Sequence, residues 1–344
     1  MRVGVIGCGS ISSTYLENSK RFEEFEIVGC ADKDMNSAIT RCDETKIGNA
    51  VHIEELLADE TIDLVINLTP PSAHVKVSTM ILEAGKHLYS EKPIALTSEE
   101  GQKLIQLAEW KRLKIGCAPD TFLGAACQTA KKIIESGKIG EPTSFIASMT
   151  CPGHERWHPN PEFYYKKGGG PLFDMGPYYL SALVELLGKI THVCAVAKKG
   201  SEKRIIKTGP RAGTSINVEV ATHVQSLLTC NQKIFGTMLM SFDVWNTHLP
   251  HIEIYGTHGT LKLPDPNFFG GPLELYVSGR EEWEVVDPVG IYQDNNRGVG
   301  IADMCKGIKN ETSYKADAHR ALHIVRVMES ILESSKSGGQ ITLP

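Results

Sequence analysis

The sequence has no excess of positive charge: 36 Lys and Arg stand against 41 Asp and Glu, a formal net charge of −5. It also lacks basic runs and any interleaving of aromatic with basic residues, so a nucleic-acid partner is not expected. No apolar stretch approaches the length that crosses a bilayer, which argues against a membrane partner. Nine cysteines are present, but none forms a C-x-x-C pair and no cysteine–histidine array has metal-ligand spacing, so neither a disulfide framework nor a zinc motif is indicated. The cysteines read as reduced thiols. The first residues lack the charged head, apolar core and cleavage site of a secretory leader, and a cytoplasmic location is the expectation. Internal repeats and low-complexity domains are missing too. The composition is that of a globular enzyme, and 344 residues suffice for two domains with two cores.

The chain opens on a short apolar strand that runs straight into closely spaced glycines, MRVGVIGCGSIS. Such a loop delivers a helix N-terminus to a dinucleotide pyrophosphate. In this pattern Gly7 permits the tight turn, Gly9 lets the backbone approach the phosphates, and Ser12 keeps the helix close to the sheet. Cys8, Ser10 and Ile11 complete the expected cofactor loop. A second apolar segment, EIVGCAD, places Asp32 at its carboxyl end, where an acid suits a ribose diol and repels a 2′-phosphate. NAD(H) is therefore favoured, and Lys33 is the feature that keeps NADP(H) open.

Two further strand signals, IDLVINLTP and KHLYSEKP, are separated by a segment of helical periodicity. In an open parallel sheet they would bring Leu68, Thr69, Pro70, Glu91 and Lys92 to strand carboxyl ends, where such sheets bind ligands. His74 begins the intervening helix and either touches the dinucleotide or serves as a cap or surface residue. A helix after LTSEE and the strand KIGCAP then close the first domain, residues 1–120.

Residues 121–344 form the second domain, with a final helix, ALHIVRVMESILESS, that could pack back onto the first. A linking helix leads to TSFIASMTC, and SINVEVATHVQSLLTC, FGTMLMSFDVW, HIEIYGT and GTLKLP follow with short turns, which predicts a large, mainly antiparallel sheet. A helix at YYLSALVELLG covers one face. Burying the other by self-association predicts a homodimer or homotetramer. The chemical signal here is GGGPLFDMGPYY: Pro177 suits a helix first turn, Asp174 would lie at or just before it, and Asp174 and Tyr178, four residues apart, would face one cavity.

Together the GCGSIS loop, Asp32, Glu91-Lys92-Pro93, Asp174-Met175-Gly176-Pro177-Tyr178 and EIYGTHGTL resemble the Gfo/Idh/MocA oxidoreductase family. The resemblance implies an α/β fold with an N-terminal Rossmann domain and a C-terminal domain built on a large sheet. It also implies a nicotinamide cofactor, no metal, and a sugar, polyol or related hydroxy compound as substrate. Many members carry a histidine four residues after the aspartate; this chain has Tyr178, as some sugar and dihydrodiol oxidoreductases of the family do. Tyr178 is then the acid/base, Lys92 the ammonium that steadies phenolate and alkoxide, and Asp174 the group that orients Lys92 or binds a second hydroxyl.

The proline-rich segment CPGHERWHPNPEFYY is read as a substrate wall. Trp157 would pack on a sugar face while His154, Arg156 or His158 binds hydroxyls, His158 being slightly preferred to His154. A zinc site from His154, Glu155 and His158 is the weaker alternative. Trp245 and His248 could line the rear of the cavity, and Arg297 either neutralises an acidic substrate or makes a salt bridge. A non-catalytic dinucleotide or sugar sensor, and within enzymes an inositol-type dehydrogenase, are the alternative readings.

Overall fold

The computed structural model describes residues 1–344. By their contacts these divide into two compact units, Met1–Asp120 with Asn296–Val325, and Thr121–Asn295 with Arg326–Pro344. The stretch Asn296–Val325, placed in the second domain by the sequence reading, clusters with the first unit.

The first unit contains β1 (Arg2–Ile6), α1 (Ser10–Ser19), β2 (Glu26–Ala31), α2 (Met35–Thr45), β3 (Asn49–Ala50), α3 (Ile53–Ala58), β4 (Leu64–Asn67), α4 (His74–Glu83), β5 (His87–Ser90), α5 (Ser98–Trp110) and β6 (Ile115–Cys117). The six strands are all parallel in the order β3-β2-β1-β4-β5-β6. Val3, Val5, Leu64, Val65, Ile66 and Leu88 are buried, as continuous apolar runs in a doubly covered sheet must be. The order reverses between β1 and β4. Ligands of open α/β sheets bind outside the strand carboxyl ends at such a switch, and Gly7, Asp32, Leu68 and Glu91 all follow directly from strand ends.

The second unit begins with α6 (Ala125–Glu135), β7 (Pro142–Thr150) and α7 (Gly170–Leu187). It continues through β8 (Ile190–Lys198), β9 (Lys203–Ile205), β10 (Ser215–Asn217), β11 (His223–Cys230), β12 (Ile234–Ser241), β13 (Ile252–Gly256), β14 (Gly259–Leu263), β15 (Leu273–Val277) and β16 (Glu284–Val286). After α8 (Val299–Asn310) in the first unit, α9 (Ala318–Ser337) leads to β17 (Ile341–Thr342). Nine strands form one sheet, β16-β15-β14-β13-β7-β12-β11-β8-β17. Only β7 and β12 run parallel; every other neighbouring pair is antiparallel. This is the predicted fold: an N-terminal Rossmann unit and a C-terminal unit with a large, mostly antiparallel sheet.

The start of α7 differs from expectation. The helix begins at Gly170, so Pro171 holds the first-turn place and Pro177 lies inside the helix. Gly169 and Gly170 make the early start possible: Gly170 has φ +78°, and a side chain on Gly169 would collide with the backbone of Phe163 and Tyr164. Asp174 therefore sits in the second turn and cannot be the cap. It projects with Tyr178 from one helix face, one turn apart.

Candidate active site

At the end of β1, Gly7 adopts φ +107°. A Cβ there would lie 2.6 Å from the Leu68 carbonyl carbon and 2.8 Å from the Thr69 nitrogen, so the loop after β4 is seated directly against this glycine. Gly9 has the opposite surroundings. It caps α1 with no side-chain hydrogen bond to the first-turn amides, and a Cβ on it would meet nothing within 4 Å. Exposed Ser10 and half-buried Ile11 follow, while the fully buried Ser12 bonds its hydroxyl back to the Gly9 carbonyl at 2.6 Å. Uncapped amides behind an open surface at a helix N-terminus fit an anionic pyrophosphate.

The Asp32 carboxylate accepts the Cys8 N–H at 2.8 Å and the Asp34 N–H at 3.0 Å, one on each oxygen. A carboxylate has roughly four lone-pair sites, so a ribose diol can still be accommodated. Lys33 beside it is exposed. Sequence reasoning missed Arg41 on α2, which pairs with Glu44 at 2.7 Å and donates to the Gly9 carbonyl at 3.3 Å. Only the packing of α2 on α1 brings a residue 32 positions away to this loop.

At the end of β5, Glu91 is tied into the fold: one oxygen accepts the Tyr15 hydroxyl at 2.8 Å and the other the Lys92 N–H at 2.9 Å. It thus fixes the backbone that carries Lys92, which is half-buried. His74 is neither a cap nor a surface residue. It is 1% exposed and bridges the Thr69 and Pro93 carbonyls, each at 2.7 Å from a ring nitrogen, locking the loop after β4 to the loop after β5. Burial holds its pKa below the ordinary value, with the two carbonyls working the other way. The exposed Pro70 follows Thr69. Asp120, also unflagged by sequence, is buried just beyond the carboxyl end of β6 and receives the Gly298 and Gly300 N–H groups at 2.9 and 3.0 Å. Burial pushes its carboxyl up to about 6 against those bonds and the charge of nearby Arg297.

In the second unit, the chain between His154 and Asp174, 20 positions apart, folds back so that His154 Nε2 meets Asp174 Oδ2 at 3.1 Å. Both are largely buried, and Tyr178, one turn beyond Asp174, is 8% exposed. The Trp157 indole N–H donates to His154 Nδ1 at 3.1 Å, while Tyr164 and Phe242 pack on the imidazole with ring centroids 4.4 Å away. Asp174 is thus held by a histidine that comes from the preceding loop. His158, preferred by the sequence reading, is half-exposed and braces the loop by accepting the Asn160 N–H at 3.1 Å.

A second network pins the same segment from behind. Glu155, 4% exposed, accepts from the Tyr165 hydroxyl and from Arg204, which also pairs with Asp243. Arg156 lies over the Trp245 ring, 4.3 Å from its centroid, and both Trp245 and His248 are exposed in the loop after β12. His154 and Glu155 are therefore committed to separate hydrogen-bond networks, which removes the weaker zinc reading. No group of three or more His, Cys, Asp or Glu side chains is arranged to hold a metal ion, and no helix is long and apolar enough to cross a membrane.

Comparison with known proteins agrees with this division. Residues 1–117 match the family profile described as oxidoreductase family, NAD-binding Rossmann fold, and residues 127–262 match the GFO/IDH/MocA C-terminal domain. The chain belongs to the Gfo/Idh/MocA oxidoreductase family. This family member is an NAD(P)-dependent oxidoreductase, with a loop, a helix end and an acid that fit NAD(H). An uncharacterised oxidoreductase of Schizosaccharomyces pombe is 27% identical over 93% of this chain and 92% of its own length. The crystal structure of an NAD binding oxidoreductase from Klebsiella pneumoniae superimposes with a TM-score of 0.86, at 23% identity, covering 100% of this chain and 99% of that one. Levoglucosan dehydrogenase in complex with NADH and L-sorbose gives 0.84 at 20% identity, with the same coverage.

Proposed function

We propose that this Gfo/Idh/MocA oxidoreductase interconverts a hydroxyl and a carbonyl on a sugar, polyol or related compound, with NAD(H) preferred and Tyr178 as the acid/base. The observation that carries the reading is the pairing of half-buried Asp174 with buried Tyr178, one turn apart on α7, with Asp174 held by His154. A polar cluster of this kind needs a function to offset the cost of its burial. The sugar ligand of levoglucosan dehydrogenase, a protein of the same fold, supports the substrate class.

In the oxidation direction, Tyr178 as phenolate takes the proton from the substrate hydroxyl and passes it to solvent. The Lys92 ammonium steadies the phenolate and the developing alkoxide. Asp174 accepts a neighbouring substrate hydroxyl or orients Lys92, and exposed Trp157 offers an apolar face to the ring. Bound NAD+ supplies the hydride acceptor. Arg156, His158, Trp245 and His248 contribute hydroxyl contacts and walls. In reduction Tyr178 returns the proton to the carbonyl oxygen.

Cofactor-stripped protein is expected to bind NADH about tenfold or more tightly than NADPH, because Asp32 stands where a 2′-phosphate would add charge. Fluorescence titration measures both constants, and a panel of aldoses, glycosides and polyols with NAD+ then tests turnover. Tighter NADPH binding would reverse the cofactor assignment and point to Arg41 and Lys33 as its anchors. Failure of every polyol to reduce NAD+ in protein that binds NADH would remove the substrate class.

We also infer a homo-oligomer formed through the open sheet face. Leu227 is 59% exposed and Phe235 63%, and with half-buried Cys194 and Ile146 they form an apolar surface across β8, β11, β12 and β7. Leu227→Arg with Phe235→Asp is expected to yield monomers by light scattering at concentrations where the wild-type chain is dimeric or tetrameric. A monomeric wild-type protein would refute the inference.

A further inference from the structure

Two of the hydrogen bonds of His154, one on each ring nitrogen, bear directly on its tautomer. Its Nε2 faces the Asp174 carboxylate, which can only accept while ionised, so this nitrogen carries a proton. Its Nδ1 faces the Trp157 indole N–H, which can only donate, so this nitrogen presents a lone pair. The geometry specifies the neutral, Nε2-protonated ring. The indole belongs to a residue 58% exposed, on the loop read above as the substrate wall.

We propose that Trp157 and His154 are positioning residues for the acid/base machinery, Trp157 fixing the tautomer of His154 and His154 holding Asp174 as a fully charged carboxylate in one rotamer. This rests on the assignment of Asp174 to that machinery. The device works because its two ends pull in opposite directions. Burial disfavours an imidazolium, yet the hydrogen bonds and charges of Asp174 and Cys151 together outweigh it and push the His154 pKa up to about 9. The indole N–H opposes that cation, because Nδ1 cannot accept a hydrogen bond and carry a proton at once.

The titratable groups facing the ring are Asp174 from α7, Cys151 just after β7 and Tyr164 from the 162–165 turn; the segment just after β12 presents the apolar Phe242. His158 is the next imidazole along the loop, and its charge would oppose a charge on His154. An imidazolium at His154 would form an ion pair with Asp174 and draw the carboxylate's charge away from substrate. A substrate ring resting on the Trp157 face restrains the indole in its donating position. Occupancy of the wall is thereby linked to the state of Asp174 without any contact between substrate and His154.

Trp157→Phe keeps an apolar ring and removes only the N–H. Histidine-labelled protein, with the His154 signals identified by their loss in His154→Gln, is expected to show the neutral Nε2–H pattern in the wild type at pH 7.5. In Trp157→Phe the imidazolium pattern is expected, titrating about two pH units higher, the size of the penalty for a buried N–H donor left facing a cation. An imidazolium in the wild type, or identical titration in both proteins, would overturn the proposal whether or not a substrate has been found. With an active polyol, Trp157→Phe is expected to lower kcat about tenfold at pH 7, with KM changed less than about threefold and activity recovering as pH rises past the new pKa. His154→Gln, whose amide can still donate to Asp174, should regain part of the kcat lost in His154→Ala. A purely structural role predicts instead a pH-independent loss in Trp157→Phe and no rescue by Gln. If the imidazole titrates as expected but no polyol is turned over, the tautomer lock stands and the substrate reading fails.

Discussion

Tyr178→Phe is expected to reduce turnover by about 10²- to 10⁴-fold, the usual contribution of a positioned acid/base, while NADH affinity stays within about twofold of wild type. The phenyl ring conserves the volume of a side chain that is 8% exposed, so the packing of α7 survives and the loss of one hydroxyl costs only about 1 kcal/mol of stability. The measurement is kcat and KM in steady state, paired with NADH titration and a thermal melt. Retained turnover in a folded variant would transfer the proton to another group, and Asp174, held by His154, would be first in line. A fall in kcat with unchanged KM would place the phenol's interaction in the transition state alone, and a rise in KM alone would make it a substrate-binding hydroxyl.

The contrast between Tyr178 and His154 shows where sequence was legible. The aspartate and the tyrosine are four residues apart on one helix, a local relation that helical periodicity reveals. His154 and Asp174 are joined by a loop of irregular backbone, and nothing in its composition marks which of its two histidines turns inward. His154 does so because Glu155 is drawn into the buried network with Tyr165 and Arg204, leaving its neighbour against α7 while His158 stays at the rim. The same distinction holds for the fold. Five of the Rossmann strands were readable because each is a short apolar run broken at its carboxyl end by glycine, proline or a charged residue, whereas β3 is only the two residues Asn49–Ala50. The parallel pairing of β7 with β12 joins segments some ninety residues apart, and no local pattern encodes that. The start of α7 was misjudged because Pro177 looks like a first-turn proline, whereas Gly169 and Gly170 allow the helix to begin seven residues earlier beside Pro171. Arg41 and Asp120 likewise gain their positions from packing, and their sequence neighbourhoods carry no signal.

The two glycines of the first loop separate folding from binding. Gly9→Ala is expected to melt within about 1 kcal/mol of wild type, since its new methyl would touch nothing within 4 Å and Gly9 already has an ordinary φ of −72°. The same methyl would stand in the open space before the α1 amides, where the pyrophosphate must approach closely, so NADH affinity is expected to fall by a factor of ten or more. Gly7→Ala meets the reverse situation. Its φ of +107° would strain any other residue by about 1–3 kcal/mol, and contacts of 2.6–2.8 Å with the backbone of Leu68 and Thr69 add overpacking of similar size. Because those atoms belong to the main chain after β4, which His74 ties to the loop after β5, they cannot yield like a flexible side chain. Gly7→Ala should therefore lose stability and dinucleotide binding together, whereas Gly9→Ala loses binding alone. Titration with NADH alongside denaturant unfolding distinguishes them. Wild-type NADH affinity in Gly9→Ala would mean that the phosphates lie elsewhere, and the dinucleotide site would then have to be moved away from the N-terminus of α1.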